Sequence, residues 1–226
     1  MRLLFTFLFG ITTSLFAGDF EVKLDDFTKV DARGNFKVTL KQGDHCAAHV
    51  INNDEKVEDE KIVLEVKGGV LEIKIKGDTF FERDLEIVIT YKKLYGIHST
   101  NGTWLIAEDV LEGQEISLSC NKGGKIKADV KAENLECKIS GGGSIKVSGT
   151  AELANYEISG GGALAASFLE AKSLGVTVKA GGEVICYATE KLDIQITSGG
   201  SVSYKGDPKE FTQNTTLGGK IEKIGE

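Results

Sequence analysis

The sequence predicts an all-β protein, a right-handed parallel β-helix (solenoid) with coils of about 19 residues, wider in the N-terminal half. Three observations predict it. The chain holds 28 Gly and 1 Pro in 226 residues; the glycines cluster at near-constant spacing; and the segments between clusters alternate apolar with polar residues. Glycine at an eighth of the chain with almost no proline excludes a collagen triple helix. A charged fraction of 27% together with 41% hydrophobic residues excludes intrinsic disorder.

From residue 98 onward the clusters are Gly123-Gly124, Gly141-Gly142-Gly143, Gly160-Gly161-Gly162, Gly181-Gly182, Gly199-Gly200 and Gly218-Gly219, at steps of 18 to 20 residues. After most of them comes a short alternating segment, such as Ile126-Lys127-Ala128, Ile145-Lys146-Val147 and Val202-Ser203-Tyr204. A second precedes the next cluster, as in Leu135-Glu136-Cys137-Lys138-Ile139 and Leu192-Asp193-Ile194-Gln195-Ile196. Period two means a strand with one buried face, so each repeat holds two strands. Units of this length bury no core alone and must stack on their copies. Gly123, Gly124, Gly141, Gly142, Gly160, Gly161, Gly181, Gly182, Gly199, Gly200, Gly218 and Gly219 then sit at a corner of the coil, where a side chain would obstruct the turn or the neighbouring backbone. A meander of antiparallel hairpins competes, but it calls for Asn-Gly or Asp-Gly turns, which are sparse.

The first half has a longer rhythm. Gly34, Gly68 and Gly102 are 34 residues apart, and each is followed by an alternating run: Phe36-Lys37-Val38-Thr39-Leu40, Val70-Leu71-Glu72-Ile73-Lys74-Ile75 and Trp104-Leu105-Ile106. His49-Val50-Ile51 and Leu85 to Tyr91 read as their partner strands, and the charged stretches 54–61 and 78–84 as insertions. Residues 19–97 are therefore expected to be wide coils and 98–226 regular ones, in one domain over 19–226; a separate N-terminal β-sandwich is the alternative.

Met1-Arg2 precedes an apolar run from Leu3 to Ile11 and a small-residue exit ending at Ala17. This reads as a signal peptide over 1–17, too short to span a membrane, and places the chain in the periplasm, at the outer-membrane surface or outside the cell. A net charge of −7 argues against nucleic acid and against anionic lipid.

The series Gly34-Asn35-Phe36-Lys37-Val38 with Lys41-Gln42-Gly43-Asp44, Gly69-Val70-Leu71-Glu72-Ile73, the Ile-Ser-Gly-Gly-Gly repeats and Val202-Ser203-Tyr204-Lys205-Gly206-Asp207-Pro208 resembles the "putative auto-transporter adhesin" family with a head GIN domain. The resemblance covers nearly the whole chain after residue 17. It implies a secreted β-helical protein of the Gram-negative envelope, and it supplies no catalytic residues.

The residues themselves point to no catalysis, metal or cofactor. Aligning Ile126 with Ile145 puts Cys137 beside Leu118 and Cys120 beside Ile139, so the two thiols are diagonal, about 8 Å apart, beyond disulfide reach. His45 and His49 are four residues apart on a strand and cannot share an ion. The outward columns of the second strands read Glu136, Asn155, Gly175, Asp193 and Lys138, Glu157, Thr177, Gln195, with no paired acids and one expected ion pair, Lys138 with Glu157. A polysaccharide-cleaving enzyme, which needs two carboxyl groups about 5 to 9 Å apart, is the alternative function, and a purely structural envelope scaffold is another. The first strands leave a flat outer surface of small side chains around Ala163, Ala165, Ile185, Ser201 and Ser203, suited to a glycan or a cell-surface protein. Phe80 and Phe81 are candidate aromatic contacts, with Trp104 a further one; the competing expectation is that each plugs the core.

Overall fold

The computed structural model describes residues 19–77 and 81–225. The expected signal peptide and Phe80 lie outside the described residues. The chain forms β1 (Asp19–Lys23), β2 (Lys29–Arg33), β3 (Lys37–Gln42), β4 (Ala47–Asn52), β5 (Ile62–Lys67), β6 (Val70–Ile75), β7 (Leu85–Tyr91), β8 (Gly96–Thr100) and β9 (Trp104–Ala107). The regular half follows: β10 (Leu111–Asn121), β11 (Lys125–Ser140), β12 (Ser144–Ser159), β13 (Ala163–Lys179), β14 (Glu183–Ser198), β15 (Ser201–Lys205), β16 (Glu210–Leu217) and β17 (Lys220–Lys223).

The fold is a β-solenoid. Each coil pairs in parallel with the next at the predicted offset: Lys125 lies opposite Ser144, and Ser144 opposite Ala163. The two segments expected per repeat run on as a single bent strand in β11 to β14. In β11, Ile126, Ala128, Val130 and Ala132 are buried, then Leu135, Cys137 and Ile139. The alternation slips by one at Glu133-Asn134, both exposed. Two consecutive outward residues turn the strand, so its halves line two walls around one core.

The glycine corner serves two purposes. Gly142 has φ +76°, and a Cβ there would meet nothing within 4 Å, so backbone conformation alone selects glycine. Gly143 has no such torsion, but a Cβ would stand 2.6 Å from Cys120 Sγ and 3.1 Å from its carbonyl oxygen. That close-approach column continues through Gly124, Gly162, Gly182, Gly200 and Gly219.

The N-terminal half departs from the expected stack of wide coils. β3 pairs in parallel with β9, so the Gly34 and Gly102 turns are equivalent as expected. β6, however, pairs with β2 on the opposite wall, and the partner of β3 is β7. The coil made by β2 and β3 therefore lies between the β6–β7 coil and the β8–β9 coil. Both walls show the same period-two pattern, so the alternation carried no label for which wall a strand joins. The segment containing His49-Val50-Ile51 is also not a parallel rung: β4 runs antiparallel to β7 and to β1, and β5 runs antiparallel to β6. These strands cover the backbone edges of the outermost coil, a common way to protect an unpaired edge. They share one hydrophobic core with the regular coils.

All four cysteines are free and buried. Cys137 pairs with Leu118 and Cys120 with Ile139, the diagonal placement that the repeat predicts. Burial pushes the thiols of Cys120 and Cys186 up to about 12 and Cys137 higher still. Only the thiolate is nucleophilic, so a thiol reagent at pH 8 should leave the folded chain unlabelled at these three positions and label them on denaturation. Rapid labelling of the folded chain there would contradict this packing.

Candidate functional site

The outward residues of β13, β14 and β15 form a shelf. Register places Ala163, Glu183 and Ser201 in one row across the three strands, and Ala165, Ile185 and Ser203 in another. The structure thus brings Ala163, Ala165, Ile185, Ser201 and Ser203 onto one face; the two alanines are exposed and the other three half-buried. Small side chains on adjacent strands about 4.8 Å apart leave that face shallow. Lys220 and Glu222 of β17, joined by an ion pair of 2.5 Å, border it.

Phe81 does not belong to this surface. It is 71% exposed in the loop between β6 and β7, with the Arg83 guanidinium 5.7 Å from its ring centre. Five strand spacings separate β7 from β13, roughly 24 Å. Trp104 is 46% exposed, so neither described aromatic plugs the core.

The shelf runs into a groove that sequence reasoning missed. Ala165 pairs with Ile185 but Glu170 with Tyr187, so Ala166, Ser167, Phe168 and Leu169 together face the single Cys186. The surplus residues bulge, and bulges re-aim side chains. Here Phe168 is thrown out and is 73% exposed, the most exposed large hydrophobic side chain of the described residues. Lys205 holds its ammonium 5.6 Å from the Phe168 ring centre, and Tyr187 lies between Glu170 and Lys205 in register. With Asp207 and Lys223, which form an ion pair, these side chains line a groove of about 980 Å³. The signal for Phe168 was present in Ala165-Ala166-Ser167-Phe168-Leu169, where strict alternation breaks within a coil of 20 residues.

An exposed ring, a half-buried tyrosine, threonine and serine hydroxyls and charges of both signs can stack on and hydrogen-bond a ligand. Among the described residues no group of three His, Cys, Asp or Glu side chains could hold a metal ion. His49 pairs with Asp19, and His45 with Asp44 at 2.6 Å, both at the exposed surface. The expected pair of Lys138 with Glu157 is replaced. Lys138 turns along its own strand to Glu136 at 2.6 Å, and Glu157 takes Lys179 of the next coil at 2.7 Å.

Solved structures with similar folds cover nearly the whole chain. A "putative adhesin" from Bacteroides fragilis matches with a TM-score of 0.82 at 23% identity, over 91% of this chain and 96% of its own. A "putative adhesin" from Parabacteroides merdae gives 0.71 at 20%, over 92% and 95%. A "putative lipid binding protein" from Parabacteroides distasonis gives 0.70 at 22%, over 92% and 96%. No curated protein matches the sequence. The model of the family described as "Putative auto-transporter adhesin, head GIN domain" matches residues 26–208, so the chain belongs to that family.

Proposed function

We propose that this protein is an exported, non-enzymatic component of the cell envelope that binds a glycan or a cell-surface protein through the shelf and groove of β13 to β15. The observation that carries the reading is Phe168, a large apolar ring held in water by a bulge at the mouth of a groove. A ring in that position is costly to leave exposed and gains on being covered by a partner. The family's adhesin name agrees with it, and export rests on the apolar leader read in residues 1–17.

The test is a binding screen against glycans, matrix proteins and whole cells, run with the native chain and with Phe168→Ala. Loss of an aromatic anchor commonly costs about 2 kcal/mol or more, so the variant should bind at least about 30-fold more weakly while melting like the native chain. Binding to none of these partners, or equal binding by the variant, would overturn the proposal.

A further inference from the structure

The two ends of the stack are finished differently. At one end the outermost strands are β1 and β5, of 5 and 6 residues. Both carry charges along their length: Asp19, Glu21 and Lys23 on β1, Glu65 and Lys67 on β5. At the other end, among the described residues, β16 pairs with β14 alone and β17 with β15 alone. β16 is the longest of these four edge strands, with 8 residues, all exposed. Its one charge, Glu210, stands at the first position and is tied back to Lys191 at 3.2 Å. From Phe211 to Leu217 the edge reads Phe-Thr-Gln-Asn-Thr-Thr-Leu, in constant register with β14. Shortness, charge, proline and bulges are the usual guards of an open edge. This stretch has none of them.

It is also complementary to itself. Laid antiparallel on a second copy about Asn214, Phe211 falls opposite the partner's Leu217, Thr212 opposite the partner's Thr216 and Gln213 opposite the partner's Thr215. Phe211 and Leu217 are 41% and 71% exposed, and this pairing covers both. Phe211 already leans on Tyr204, with ring centres 5.1 Å apart, which holds it at the open end of the core. Threonine pairs facing across antiparallel strands hydrogen-bond, and no like charges meet along β16. On the other wall the charges of β17 come already matched, Lys220 to Glu222 and Lys223 to Asp207.

We propose that two copies of this chain join end to end by antiparallel pairing of β16, in a closed dimer with its two-fold axis normal to the wall at Asn214. β16 spans about 26 Å, and the two walls with their outward side chains about 20 Å, so the joined ends cover roughly 500 Å² on each copy. A total of about 1,000 Å² is the lower limit for a specific interface, so the dimer is reversible. The pairing consumes the open edge of both copies, and growth stops at two. An axis normal to the wall keeps outward faces outward. On the reading of the shelf given above, one dimer therefore meets one surface with two binding sites; the pairing itself does not rest on that reading.

The test is sedimentation velocity of the full chain without ligand, from about 1 to about 500 µM, a range that brackets a micromolar dissociation constant. The sedimentation coefficient should rise with concentration to that of a dimer and no further. Thr212 and Thr216 point outward and are exposed, so charges there leave the core untouched. Thr212→Lys combined with Thr216→Lys sets lysine against lysine at both crossings and should weaken the dimer at least tenfold. Thr212→Lys combined with Thr216→Glu sets lysine against glutamate in the same register and should restore it. Thermal unfolding at the lowest concentration checks that both variants fold, and if the double-lysine variant does not, Leu217→Ser, which removes one apolar contact at each end of the pairing, takes its place with the same expected loss. A native chain that stays monomeric throughout, growth beyond two copies, equal dimerisation by the folded double-lysine variant, or no recovery with the lysine–glutamate variant would overturn the proposal.

Discussion

Replacing Gly149 with alanine is expected to destabilise the chain by about 3 kcal/mol or more and to lower its thermal midpoint by about 10 °C. Gly149 has φ +112°, and a Cβ there would lie 1.9 Å from the carbonyl oxygen of Val130, its neighbour on β11. The obstacle is backbone within a paired strand, which no rotamer change removes. The added torsional strain falls on the same residue. Gly142→Asn is the matching control. Its φ is +76° with open space around it, and asparagine visits that region readily, so the loss should stay within about 1 kcal/mol. Thermal unfolding followed by circular dichroism measures both, and a Gly149→Ala midpoint within about 2 °C of the native one would refute the packing described at this position.

The second large effect is loss of stability in alkali. Burial raises Cys120 and Cys186 from 9.0 to about 12, and Tyr91 from 10.0 to about 12. Cys137 and Tyr156 rise for the same reason. Above pH 9 the unfolded chain releases these protons while the folded chain keeps them, so unfolding gains as pH rises. The stabilisation is complete below the unfolded thiol value and drains away as pH climbs toward the folded one. For Cys120 and Cys186 the loss approaches about 4 kcal/mol each at the upper end. The urea midpoint should therefore fall steeply between about pH 8 and pH 10.5, and Cys186→Ala should flatten that fall. A midpoint that does not move over this interval would show that the thiols are not sealed from solvent.

Much of this molecule was legible because its repeat fixes register. Once Ile126 is placed beside Ile145, the positions of Cys120, Cys137 and the shelf residues Ala163 to Ser203 follow from counting. Counting fails where the count changes. The surplus residues around Phe168 moved the chief aromatic of the groove off the column grid, and the antiparallel cap used strands whose alternation looks like that of any coil. The outward columns are equally legible by counting, but which acids the lysines choose is not: Lys138 takes Glu136 and Glu157 takes Lys179. Side-chain pairing of that kind is decided by rotamers, about which period-two spacing is silent.

Because β2 and β3 are wedged between strands that the ribosome makes later, the first coil in the chain has no neighbouring coil until residues 70–91 have emerged and lacks its second until residue 107. Assembly from the N-terminus therefore cannot run in one direction along the stack. The regular coils of β10 to β14, where each partner is one repeat away, have the lower entropic cost of closure, whereas the N-terminal coils close across longer sequence separations, the slower kind. A chain cut off early in synthesis would carry exposed, unpaired strands, a state prone to aggregation until the later coils arrive.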